Sequence, residues 1–157
     1  MMRVEIQANK QEKNLAEIEA RVRQAIRKGL MALALDMQNN ARKSILKGGK
    51  TGEAYGRGGK FKRGKNAGKY RKYHQASAPG QPPANDTGFL ANAIIAGEVN
   101  ETTVELRSLA PYSLCLEYGT VKMAARPFMR PAAWVTSLKA DKVMAAYAEK
   151  ATRKFSE

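Results

Sequence analysis

Four short segments carry residue types that can do chemistry. Asp86-Thr87-Gly88 matches the tripeptide of aspartic proteases, in which two carboxylates share one proton. That chemistry needs a second carboxylate and a buried strand ahead of the first. Here the tripeptide follows Pro82-Pro83-Ala84-Asn85 and has no second copy, so Asp86 or Thr87 reads as a helix N-cap. Gly49-Lys50-Thr51 resembles the end of a phosphate-binding loop. Ser44 stands where that motif needs its first glycine, and a helical stretch precedes it where a strand is required. His74 has no Cys, Asp or Glu at ligand spacing and reads as a solvated loop histidine. Cys115, between Leu114 and Leu116, reads as a small buried hydrophobe. No metal set, cofactor motif or catalytic constellation remains, and the expectation is a protein that is not an enzyme.

The segment that survives is basic. Residues 47–75 hold ten basic residues and one acid, Glu53, and eight of the 13 glycines. Lys47, Lys50, Arg57, Lys60, Lys62, Arg63, Lys65, Lys69, Arg71 and Lys72 alternate with Tyr55, Phe61, Tyr70 and Tyr73. Cations on a flexible backbone attract phosphates, and aromatic rings stack on bases or sugars. A charge of one sign at this density repels itself, which points to an anionic partner: nucleic acid first, an acidic protein surface second. The rest of the chain is almost balanced. Residues 1–46 carry a net +4 and residues 76–157 a net +1, out of +14 in total.

The elements that must position this segment follow from periodicity. Met2 to Gln7 alternates apolar and polar residues as a half-buried strand does. Leu15, Ile18, Val22, Ile26, Leu30, Leu33, Met37, Ala41 and Ile45 then form one apolar stripe at helical spacing. Asn14 and Glu17 resemble a capping box at its start, and Gly48-Gly49 ends it. Residues 47–75 lack apolar periodicity and read as a long mobile loop, and residues 78–83 read as a stiff linker. A short helix through Phe89, Leu90 and Ala93 leads to a hairpin: a strand from Ile94 to Val99, a turn at Asn100-Glu101, and a strand from Thr103 to Arg107. Tyr112 to Tyr118 is a helical turn ended by Gly119 in a left-handed cap. Pro131 suits the first turn of a last helix, whose stripe is Trp134 or Val135, Leu138, Val143, Tyr147, Ala151 and Phe155. The expected fold is α+β, in a single domain over 1–157. A long N-terminal and a C-terminal helix pack on a small antiparallel sheet, and 47–75 form a flexible insert. The longest apolar run, Leu30 to Leu35, is far short of the roughly 20 residues that span a bilayer. The single cysteine excludes an intramolecular disulfide, and the opening residues lack a signal-peptide pattern, so a reducing cytoplasm is expected.

Several segments in order resemble the tail-completion, or head–tail joining, proteins of long-tailed bacteriophages. They are Ala78 to Pro83, Asp86-Thr87-Gly88 with Leu90, Ala110-Pro111-Tyr112, Glu117-Tyr118-Gly119-Thr120, and Met123 to Ala132 with its core Arg126-Pro127-Phe128-Met129-Arg130-Pro131. The resemblance implies a non-enzymatic virion protein of the neck, assembled in the host cytoplasm. It implies a homo-oligomeric ring that meets head-completion or connector proteins and the tail tube or tail terminator, with genomic DNA in the lumen and no membrane. The candidate interface residues are then Asp86, Gly88, Tyr112, Glu117, Tyr118, Gly119, Thr120, Arg126, Pro127, Phe128 and Pro131. Phe128 is either an apolar anchor for a neighbour or a core residue beneath the last helix. Glu117 is expected to pair with a basic residue, Arg126 among the candidates. The alternative from another class is a free nucleic-acid-binding basic protein.

Overall fold

The computed structural model describes residues 2–153, and their side chains from Asn14 onward except those at 57, 58, 71 and 72. The elements are α1 (Met2–Leu46), β1 (Ala54–Lys60), β2 (Tyr70–Gln75), α2 (Phe89–Asn92), β3 (Ile94–Asn100), β4 (Thr103–Ser108), α3 (Ser113–Tyr118) and α4 (Met129–Thr152). The fold is α+β, with two separate two-stranded sheets, β1-β2 and β3-β4.

The helical stripe is real, but its expected start is not. Where a strand and an Asn14 cap were expected, α1 is continuous from Met2. Residues 7–13 contain no glycine or proline and several good helix formers, so the helix propagates through a segment whose alternation suggested a strand. The stripe is buried at its C-terminal end, at Ala41 and Ile45, whereas Leu15 and Val22 are exposed. The hairpin of β3 and β4 forms as expected, but each strand runs one residue further and the turn is Glu101-Thr102 instead of Asn100-Glu101.

The chain divides into two compact units, each made of segments that alternate along the sequence. One comprises Met1–Asp36, Ala96–Leu106 and Thr136–Glu157. There Arg27 grips Glu98 through two nitrogens, with Nη2 2.6 Å and Nε 2.9 Å from the carboxylate. Asp36 accepts from Thr136 Oγ1 at 3.2 Å and from Lys139 Nζ at 3.3 Å. Gly29 gives α1 and α4 close approach, since a Cβ there would come within 2.7 Å of Met144 Sδ.

The other unit comprises Met37–Ile95 and Arg107–Val135. Its core holds Ile45, Leu90, Ile94, Ala110, Phe128 and Ala132. Carbonyls at the end of α2 have no partner inside so short a helix. Arg42 supplies one, donating from Nε to the Ala91 carbonyl at 3.0 Å and from Nη2 to the Ile94 carbonyl at 2.8 Å. Gln38 Nε2 adds a second bond to Ile94, at 2.7 Å.

The stripe expected on α4 is displaced. Trp134, Val135 and Leu138 are exposed, while the smaller Ala132 and Thr136 are buried. Small residues allow close packing, and the large apolar ones are left on the surface. Phe155 lies outside the described residues.

Candidate nucleic-acid interface and the motif segments

The basic segment contains two paired strands where no secondary structure was expected. β1 and β2 are antiparallel, with Ala54 opposite Gln75, Tyr55 opposite His74, Gly56 opposite Tyr73 and Arg57 opposite Lys72. The register shifts between Arg57 and Lys60, and Lys60 then faces Tyr70. Gly52 N–H donates to the Ala76 carbonyl at 2.8 Å, and Ala76 N–H to the Glu53 carbonyl at 2.9 Å, so the base of the hairpin is closed. At the tip, Phe61 N–H donates to the Lys69 carbonyl at 3.0 Å and Gly68 N–H to the Phe61 carbonyl at 2.9 Å. The backbone makes this ladder by itself. Glycine and lysine leave no hydrophobic alternation to betray it.

Lys47, Lys50, Lys60, Lys62, Arg63, Lys65 and Lys69 are all exposed, and among the described residues none pairs with a carboxylate. The side chains of Arg57, Arg71 and Lys72 lie outside the described residues, although the register sets Arg57 opposite Lys72. The acid of the segment, Glu53, accepts from Tyr55 OH at 3.2 Å. The aromatic residues remain on the surface: Tyr55, Phe61, Tyr70 and Tyr73 are all exposed. Tyr70 meets Tyr73 edge to face at 6.1 Å, and Lys60 Nζ lies 5.0 Å from the centre of the Tyr70 ring. A Cβ on Gly56 would collide with that ring, so glycine makes the room for it.

The motif segments differ: two of their charged residues, Glu117 and Arg126, are buried, while Asp86 and Arg130 are exposed. Glu117 is 5% exposed, and its partner is not Arg126. Its carboxylate accepts the backbone N–H groups of Phe128 at 2.8 Å, Met129 at 2.9 Å and Arg130 at 2.9 Å, and Arg130 Nε at 3.3 Å. Helix α4 begins at Met129, so these are the donors that a helix leaves unsatisfied at its start. Desolvation pushes the Glu117 carboxyl up, but the three N–H donors and Arg130 outweigh it, and its pKa lies below the ordinary carboxylate value. Arg126 bonds elsewhere, with its backbone N–H to the Leu116 carbonyl at 2.7 Å and its Nε to the Ser77 carbonyl at 3.1 Å.

Between these residues the chain turns sharply. Gly119 has φ 79° and ψ −177°, a region open to glycine and not the left-handed cap expected. A Cβ there would meet the Met123 carbonyl oxygen at 2.7 Å and the Ala125 nitrogen at 2.8 Å. Thr120 and Met123 exchange backbone hydrogen bonds of 2.7 and 3.1 Å. Phe128 is fully buried, which settles its place in the core and removes it as an exposed anchor. Pro127 is half-buried and Pro131 exposed. Tyr112 and Tyr118 are exposed, with Tyr112 6.3 Å from Phe89 and Arg130 over the Tyr118 ring at 5.0 Å.

Three readings need correction. Neither Asp86 nor Thr87 is the N-cap of α2: Gly88 holds that position with φ 81° and no side-chain cap. Its N–H is bonded to Asn85 Oδ1 at 2.9 Å. Asp86 instead lies 3.7 Å from His74 Nδ1, and that histidine is half-buried on β2. Cys115 is exposed, because the inward face of so short a helix is taken by Glu117.

No protein-family model, curated protein or solved structure matches this chain. Among the described residues, no three His, Cys, Asp or Glu side chains cluster as metal ligands. No helix there is long and apolar enough to cross a membrane. The expected basic partner of Glu117 is present as Arg130, not Arg126, but its three peptide N–H donors were missed, because peptide groups carry no residue signature. Sequence reasoning also missed the pairing of His74 with Asp86, which lie 12 positions apart.

Proposed function

We propose that this chain is a structural protein of the neck of a long-tailed phage particle. In this reading it completes the tail and joins it to the head as one subunit of a homo-oligomeric ring. Its partners are the head-completion or connector proteins and the tail tube or terminator, and its residence is the virion after assembly in the host cytoplasm. No catalytic role is assigned to it. The observation that carries the reading is the bonding of Glu117 to Phe128, Met129 and Arg130, which joins the two most distinctive of the segments resembling that family. With Glu117 and Phe128 buried and the carboxylate fully bonded, this junction serves as a scaffold, which is the role a non-enzymatic ring subunit requires. The exposed Leu114, Tyr118, Val121 and Trp134 offer apolar surface to neighbouring subunits.

The basic hairpin then faces DNA in the lumen or braces an adjacent ring. The test replaces residues 54–75 with a two-glycine turn, joining strand ends that already lie side by side at Glu53 and Ala76. Particles carrying the shortened protein should package DNA but fail at head–tail joining or lose their DNA. Normal infectivity would remove any role for the hairpin.

The described cations of the hairpin, none paired with a carboxylate, and its exposed rings also favour the second reading, a free nucleic-acid-binding protein. That reading requires tight binding to DNA or RNA by the purified monomer, with log K falling by about 0.9 per log unit of salt for each phosphate contacted. Binding that appears only after oligomerisation decides for the ring.

A further inference from the structure

The unit that contains the hairpin base also holds a cavity of about 570 Å³, within the size range of ligand sites. Its wall is mostly apolar, with Ile45, Leu90, Leu116 and Met123, and exposed Phe89 and Tyr112 belong to it as well. Two polar residues on this wall are deeply buried and incompletely bonded.

Arg126 is 9% exposed. Its Nε is committed to the Ser77 carbonyl, but among the described residues its two Nη groups have no hydrogen-bond partner and no carboxylate pairs with the guanidinium. These Nη groups keep contact with solvent, so an anion entering the cavity can take the place of water on them. Ser77, fully buried beside it, has a hydroxyl without any partner among the described residues. A buried polar group left in that state is one that a bound molecule can satisfy. The acid on the wall, Asp86, does not serve Arg126; its Oδ1 faces His74 Nδ1 at 3.7 Å.

We infer that this cavity is a binding site for a carboxylate carried on an apolar body, with the acid on the Arg126 guanidinium and the body against Leu90, Leu116 and Met123. The planar guanidinium presents two parallel N–H donors from its Nη groups, which suits a carboxylate. The required chemistry can come from a free organic acid or from an acidic side chain flanked by apolar residues on a partner protein. This site does not depend on the proposed neck function.

The experiment is a titration of the full chain followed by methyl NMR at Leu90, Leu116 and Met123. Its probes are 4-phenylbutyrate and the peptide acetyl-Leu-Glu-Phe-amide, each beside its uncharged counterpart, 4-phenylbutanamide or acetyl-Leu-Gln-Phe-amide. At least one acid should shift these methyls saturably, with its neutral counterpart at least ten-fold weaker. Binding of 4-phenylbutyrate alone identifies a free acid, and binding of the peptide alone identifies a protein segment. Arg126→Gln should abolish the response. Because that change also disturbs the bond to Ser77, Leu116→Trp provides a second variant that fills the cavity and leaves Arg126 in place; it too should not bind. Equal affinity for acid and neutral probe, failure of both acids, or unchanged binding in a folded Arg126→Gln or Leu116→Trp variant would overturn the assignment.

Discussion

Two stretches of this chain treat charge in contrary ways. Around Glu117, a carboxylate is buried and carries four hydrogen bonds to a neighbouring segment. In the hairpin of β1 and β2, cations stand in solvent, and among the described residues none has an acidic partner. The first arrangement makes charge part of the architecture, because removing it strands several buried donors. The second leaves charge available to something else, because removing it costs the fold almost nothing. A charged residue in this protein is therefore structural or functional according to what satisfies it.

The contrast can be broken most directly at Glu117. Replacing it with alanine leaves three backbone N–H groups without their acceptor, and we expect a loss of about 3–5 kcal/mol in urea unfolding. A loss below about 1 kcal/mol would mean that the start of α4 finds other acceptors. Next in size is Gly119→Ala, which forces a Cβ into a glycine-only conformation against the backbone of Met123 and Ala125. It should cost about 1–3 kcal/mol by the same measurement.

The same carboxylate predicts a pH dependence. Its pKa is lowered in the folded state and returns to the ordinary value on unfolding. Its stabilising contribution is complete above the ordinary carboxylate value and is lost as the pH falls through the lowered one. Acid unfolding of the parent protein should include this component, and Glu117→Gln should flatten it. An unchanged acid limb in that variant would place the sensitivity elsewhere.

The smallest effect on stability is expected in the hairpin. Changing Lys62, Arg63, Lys65 and Lys69 together to serine should shift unfolding by less than about 0.5 kcal/mol per site. DNA binding by the assembled protein should weaken at the same time, and its salt dependence should flatten by about 0.9 for each phosphate contact removed. A large loss of stability there would erase the distinction between the two regions.

What could be read from residues alone follows the same division. The apolar stripe from Leu15 to Ile45 and the alternation of Thr103 to Arg107 announce a helix and a strand, because side-chain periodicity carries both signals. The ladder of β1 and β2 is silent in the sequence, since backbone groups hold it and most of its described side chains, His74 excepted, are exposed. Met2 to Gln7 misleads for a related reason: local alternation says strand, while the uninterrupted helix formers that follow extend α1 through it. The basic surface was legible as composition. The bonding of Glu117 was not, because its partners are peptide groups, and neither was the buried Arg126, whose neighbours come from distant parts of the chain.

Cys115 is the one thiol in the sequence, and it is exposed on α3 between Leu114 and Leu116. A maleimide dye or spin label will therefore attach at a single known position without prior mutagenesis. Its rate of attachment before and after assembly reports directly whether α3 becomes covered. Under the proposed ring assembly, that single thiol is the built-in probe of whether α3 lies in a subunit contact.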